Sequence, residues 1–110
     1  MNLENLPVGA TDWSQVPVSV QSGESGIATA RALQFGDIQV RLIDYSAGYV
    51  AKNWCPKGHI VFVVAGRLTV EHQDGRRYML TPNMSYQVPD NEGSPHRAHS
   101  DHGATLFIID

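Results

Sequence analysis

Cysteine is nearly absent from this chain: Cys55 is the only one in 110 residues. A lone thiol excludes an internal disulfide framework and suits a reducing compartment. Long apolar runs are missing as well. The longest, Ile60 to Ala65, falls far short of the roughly 20 residues that span a bilayer as a helix. Basic excess is lacking: 8 Lys and Arg stand against 11 Asp and Glu, a net charge of -3. Nothing in that balance points to nucleic acid or an anionic membrane as a partner. The start, Met1-Asn2-Leu3-Glu4-Asn5-Leu6-Pro7, has no basic region followed by an apolar one, so it does not read as a secretory signal. Together these absences predict a soluble cytoplasmic protein. Also absent are a G-x-S-x-G elbow and a glycine loop able to cradle phosphate, which leaves those two chemistries without support.

Helical periodicity is the last thing missing. No window places apolar residues at helical spacing over more than two turns. What is present is a series of short, alternating, β-branched runs separated by Gly, Pro and Asp turns. Ile27 to Phe35 and Ile38 to Tyr45 flank Gly36-Asp37, with Ile38, Val40 and Leu42 on one face. Arg67 to Gln73 and Arg76 to Thr81 flank Asp74-Gly75, a strong hairpin signal. Ser85 to Val88 and Pro95 to His99 flank a loop at Asp90 to Ser94, and Ala104 to Ile109 ends the series. Before it, Thr11-Asp12-Trp13-Ser14 carries capping residues for one helical turn, and Val16 to Val20 contains Pro17, which suits an edge strand. Hydrophobic residues at 42% and charged residues at 17% give an ordinary globular balance. The expectation is one all-β domain over 1–110, an antiparallel barrel or sandwich with little helix. Residues 1–25 form an N-terminal arm and edge strand, and 38–109 form the barrel core.

The chain is organised around Gly48 to Leu68. This stretch holds Cys55, the first histidine (His59), and the run Ile60 to Val64, which is closed by Gly66. The run is short and β-branched, so it reads as a buried strand. Cys55 and His59 sit four residues apart at its mouth. Asn53 and Cys55 are two apart, so an extended backbone points them to the same face. Pro56-Lys57-Gly58 is a segment able to turn the chain and aim His59 inward.

These residues resemble the first signature of the cupin superfamily: a glycine (Gly48), a polar-ligand segment (Asn53 to His59), an apolar strand and a closing glycine (Gly66). Thr81-Pro82-Asn83-Met84, Val88-Pro89 and Gly93-Ser94-Pro95-His96 resemble the second. The likeness covers roughly Ile38 to Ile109. Small single-domain cupins of the DHCW-motif family are similar, although the corresponding stretch here is Lys52-Asn53-Trp54-Cys55. The resemblance implies a jelly-roll barrel that often holds one divalent metal in its mouth. It places Asn53 and Cys55 at two positions usually held by histidine, His59 at the usual glutamate position, and His96 at the histidine of the second signature.

The departures have a consistent chemistry. The usual set carries three imidazoles and one carboxylate. Here Cys55 supplies one thiolate while His59 and His96 supply imidazoles, so one anion is again available. Asn53 adds at most a carbonyl oxygen. A sulfur and nitrogen set favours zinc, with iron, nickel or copper as alternatives. Each residue also has a plain structural reading: Cys55 as a small core hydrophobe, His59 as a hydrogen-bonded core histidine. Tyr86 and Met84 are candidates to line the pocket, with core packing as their default. His72, beside the Asp74-Gly75 turn, reads as solvated. His99 falls on the face opposite His96, and His102 reads as a loop residue. Trp54, between Asn53 and Cys55, points away from them.

Three functions stay open. One is a metal-binding barrel that binds or converts a small molecule, the metal polarising a carbonyl or activating water. Another is a non-catalytic binding or sensing module, and the third a structural domain with a degenerate metal site. A metal-free Cys-His nucleophile pair is a minor fourth. The sequence assigns no catalytic residue and no organic cofactor. A small barrel with an exposed edge is expected to protect it by pairing, hence a homodimer using the arm or the Val16 to Val20 strand.

Overall fold

The computed structural model describes residues 3–110. Its chain runs through a 3-10 turn at Trp13–Gln15 and then ten strands: β1 Ser19–Ser22, β2 Ile27–Phe35, β3 Ile38–Tyr45, β4 Tyr49–Val50, β5 His59–Gly66, β6 Leu68–His72, β7 Arg77–Leu80, β8 Ser85–Val88, β9 His96–Ser100 and β10 Ala104–Ile109. All neighbouring strands pair antiparallel. They form a six-stranded sheet in the order β1-β2-β3-β10-β5-β8 and a four-stranded sheet in the order β4-β9-β6-β7. From β5 onward the chain crosses repeatedly between the sheets, as a jelly roll does. The two apolar faces meet between the sheets, with Ile43, Val63, Leu68, Val70 and Leu106 at the centre of the core.

The turns sit where the sequence puts them. Asp12 caps the 3-10 turn, its Oδ1 accepting from the Ser14 backbone at 3.0 Å and the Ser14 hydroxyl at 2.6 Å. Gly66 joins β5 to β6 with φ +78°, and a side chain there would collide with the Gly103 carbonyl. Only glycine meets both demands.

The N-terminal arm lies on its own sheet. Arg31 Nη1 donates to the carbonyls of Trp13 at 2.9 Å, Ser14 at 3.2 Å and Val16 at 2.9 Å. Trp13 meets Phe107 edge-on, with ring centroids 5.9 Å apart. Beyond the arm, Ile60, Phe62 and Val64 on β5 are 40–50% exposed on the outer face.

Two expectations need correction. The run Ile60 to Val64, expected as a buried strand, buries only Val61 and Val63 and leaves Ile60, Phe62 and Val64 on the outer face. In β3, Ile38, Val40 and Leu42 share one face by strand parity. The inner row is Arg41, Ile43 and Tyr45. Arg41 pairs with the inward Ile108, and Ile43 with the inward Leu106. His72, expected in solvent, is only 4% exposed. It continues the inner row of Leu68 and Val70, and its register partner is His96. Strand parity, not nearness to a turn, decides where it points.

Candidate functional site

Between the sheets lies a cavity of about 170 Å³ whose lining includes Arg41, Tyr45, Asn53, Cys55, His59 and His96. Each of the four proposed donors reaches it by a different device. Cys55 is tied to His96 through an isolated two-way backbone bridge: Cys55 N–H donates to the His96 carbonyl at 2.7 Å, and His96 N–H to the Cys55 carbonyl at 3.0 Å. Asn53, two residues earlier in a bend, lines the same cavity. His59 opens β5 directly after Gly58, whose N–H donates to Asp90 Oδ1 at 2.6 Å. A side chain on Gly58 would lie 2.6 Å from the Asp90 backbone nitrogen, so glycine lets this turn close against Pro89-Asp90. His96 follows Ser94-Pro95, where Ser94 holds a left-handed φ of +64°.

His59 Nε2 and His96 Nε2 are 3.1 Å apart, with the rings nearly perpendicular at 88°. Burial lowers the His59 imidazole to a pKa of about 4, and the adjacent His96 and the Arg41 and Lys57 cations push the same way while Asp110 opposes them. Burial also holds His96 below its usual range, with His72 adding to this and the Ser94 backbone opposing it. Both rings are therefore neutral at pH 7. In the hydrogen-bonded pair, one Nε2 donates and the other accepts. His96 Nδ1 is buried without a partner.

Behind this pair sits a cluster of rings. His72 Nε2 and the Tyr86 hydroxyl are 2.7 Å apart, and the His72 and His96 ring centroids 5.6 Å. Tyr86, pushed up to about 12 chiefly by burial, stays protonated. Tyr86 and Met84 line a separate groove of about 440 Å³ with His72 and Tyr78, rather than the cavity that holds His59 and His96. Met84 is 43% exposed, and its sulfur accepts from the Thr81 backbone and hydroxyl at 3.4 and 3.3 Å. Trp54 does not line the cavity; the Arg97 guanidinium lies 4.6 Å from its ring centroid. His99 pairs with Thr69, on the face opposite His96, and His102 is an exposed loop residue.

The donor set fits an ion in part. Two nitrogens bound to one metal at about 2.0–2.1 Å stand roughly 3.0–3.4 Å apart at ordinary coordination angles, and the observed separation of 3.1 Å matches. Among the described residues no group of three or more His, Cys, Asp or Glu is gathered to hold a metal. Cys55 lines the same cavity without completing such a group.

The architecture has many solved counterparts. Ectoine synthase from P. lautus superposes with a TM-score of 0.75 at 14% identity, covering 93% of this chain and 76% of that one. A sugar phosphate isomerase from a cupin superfamily, from Silicibacter pomeroyi, gives a TM-score of 0.71 at 16% identity over 92% of this chain and 74% of that one. The fold is that of the cupins. A third solved structure, Fe(II)-HppE with an alternative substrate, gives a TM-score of 0.74 at 12% identity over 94% of this chain and 60% of that one. No protein-family model matches this sequence, and no curated protein does.

Three residues in and behind this cupin cavity escaped sequence reasoning. Arg41 and Tyr45 line it, and His72 stands behind His96. Parity carried the signal for all three. Arg41 and Tyr45 share a face with Ile43, and His72 with Leu68 and Val70.

Proposed function

We propose that this cupin barrel binds a small molecule beside a divalent metal ion held by His59 and His96, with Cys55 as a third, anionic donor. The observation that carries the reading is the pair of Nε2 atoms 3.1 Å apart at a cavity wall. Their lowered basicity supports it, since a neutral imidazole is the form that ligates. Fe(II) in HppE, a similar fold, is consistent with metal use here. With Cys55 counted, the set is one sulfur and two nitrogens, which favours zinc over iron, nickel or copper. A bound ion would supply Lewis acidity toward a carbonyl or water. The chain's own part is to keep both rings neutral and to fix them through the Cys55–His96 bridge and the Gly58 turn.

Zinc titration by calorimetry tests this. One ion per chain is expected, with His96→Ala weakening binding at least 100-fold and Cys55→Ser about tenfold. Wild-type protein that takes up no zinc at about 100 μM would remove the metal from the reading. A second reading, a metal-free binding or sensing module, draws on the same contact: the two rings satisfy each other by a hydrogen bond with no ion between them. Small-molecule binding that persists in His96→Ala, with no zinc uptake, selects it.

The homodimer belongs to the proposal too. Val18, Val20, Ile60, Phe62 and Val64 leave apolar surface 40–59% exposed, which a second copy would cover. Sedimentation equilibrium showing only monomer at micromolar concentration would exclude it.

A further inference from the structure

The geometry points to Arg41 as the anchor for an anionic ligand, a small carboxylate whose carboxyl group pairs with the Arg41 guanidinium while its other end reaches the His59–His96 pair. This deepens the preceding reading and rests on it for the use of the cavity as a ligand site.

Arg41 occupies an inner position of β3, where its register partner Ile108 is 5% exposed and its row-mate Ile43 is 4% exposed. The Arg41 side chain itself is 28% exposed, so its guanidinium is partly desolvated, and a barrel that keeps one beside such a row has a use for it. Its hydrogen bonding is incomplete. Nη2 pairs with Asp110 Oδ2 at 3.1 Å, while Nε and Asp110 Oδ1 are both buried with no partner. Buried polar atoms are nearly always satisfied, so the unmet Nε–H calls for an explanation, and a ligand oxygen is the one proposed.

The surroundings select the sign of the ligand. The cavity lining contains two cations, Arg41 and Arg97, and no Asp or Glu. Arg97 is already engaged, with Nε 2.8 Å from Glu71 and its guanidinium over Trp54. Arg41 is the cation with a donor to spare. Asp110 lines the outer cleft rather than this cavity. Tyr45 lines the cavity beside Arg41, and its burial keeps the phenol protonated, ready to donate a second hydrogen bond to an oxyanion. Size sets the upper bound. The cavity's 170 Å³ equals about five or six waters at about 30 Å³ each, which admits an acid of a few carbons. A planar, forked guanidinium suits a carboxylate better than a point charge does.

The test uses pyruvate and its neutral counterpart pyruvamide as probes, titrated into the wild-type chain and followed by NMR shift changes. Pyruvate is expected to bind at least tenfold tighter than pyruvamide. Arg41→Gln is expected to erase that preference, while Arg41→Lys, which keeps the charge, retains part of it and guards against simple misfolding. Equal binding of the two probes, no binding of either up to about 50 mM, or an undiminished preference in folded Arg41→Gln would overturn the anchor role. Parallel zinc titrations separate the two ideas. Zinc uptake without a pyruvate preference sinks the anchor alone. An Arg41-dependent preference without zinc uptake sinks the metal alone.

Discussion

The Tyr86 hydroxyl and His72 Nε2 meet at 2.7 Å inside the barrel, where both residues are at most 6% exposed. The other His72 nitrogen, Nδ1, is buried with no partner. Tyr86 therefore provides the one hydrogen bond of the His72 ring among the described residues. Tyr86→Phe would leave both ring nitrogens unmet, a loss of about 1–3 kcal/mol. His72→Leu in the same chain is expected to recover part of it, because the two sites share one interaction. Urea unfolding of the single and double variants measures both effects. A change below about 0.5 kcal/mol in Tyr86→Phe would show that the contact contributes nothing.

Acid should weaken the metal-free protein through His59. Its folded pKa of about 4 lies below the ordinary value of 6.5. The unfolded chain then binds the proton more readily than the folded one, so protonation favours unfolding. Stability is complete above about pH 6.5, falls as pH drops through that value, and levels near pH 4. The full shift corresponds to about 3 kcal/mol, and partial exposure of the ring brings the expectation to roughly 2 kcal/mol. His96, also lowered, adds to the same trend. Denaturant unfolding at pH 7 and pH 5 reads the slope. His59→Gln should flatten it, and an equally steep slope in that variant would assign the effect elsewhere.

At Gly66, φ is +78° and an added Cβ would strike the Gly103 carbonyl and approach the Ala104 Cα to 2.7 Å. Gly66→Ala therefore combines backbone strain of about 1–2 kcal/mol with a steric clash against another main chain, which has little room to yield. A loss of at least about 2 kcal/mol is expected. Gly75→Ala serves as a control, since its φ is +98° but open space surrounds it. Equal losses at the two sites would mean that the clash at Gly66 has no weight.

Much of this architecture could be read from period and punctuation. Ile27–Phe35, Ile38–Tyr45, Ser85–Val88 and Ala104–Ile109 have the bounds expected of them, because the runs end at glycine, proline or aspartate in three cases and at Ser46 in the fourth. Tyr49–Val50 was not separable from its loop, since two residues carry no period. The convergence of Asn53, Cys55, His59 and His96 on one cavity followed from the cupin resemblance and the two-residue spacing. Arg41 and His72 were hidden for different reasons. Nearness to the Asp74-Gly75 turn masked the parity that puts His72 in one row with Leu68 and Val70. For Arg41, inner positions in a sheet are ordinarily apolar, so parity was read from the apolar residues Val40 and Leu42, which cover the outer face. That face is itself half-apolar because the arm packs on it through Trp13. A strand with two apolar faces gives no alternation to choose between them.

The same arm supplies the last prediction. Arg31 Nη1 accepts the task of holding three carbonyls, those of Trp13, Ser14 and Val16, at 2.9–3.2 Å. Outside this and the Trp13–Phe107 contact, most of the segment before β1 is exposed. Arg31→Ala removes the donor and leaves three carbonyls to water, which an exposed segment can accept without a large penalty. The expected result is local rather than global. The arm detaches, Trp13 loses its place against Phe107, and the barrel stays folded with at most about 1–2 kcal/mol lost. In a Trp54→Phe background, where Trp13 is the sole indole, emission should shift to the red, and limited proteolysis should cut before Ser19 while sparing the remainder. Unchanged emission together with unchanged resistance to protease would mean that Arg31 does not hold the arm.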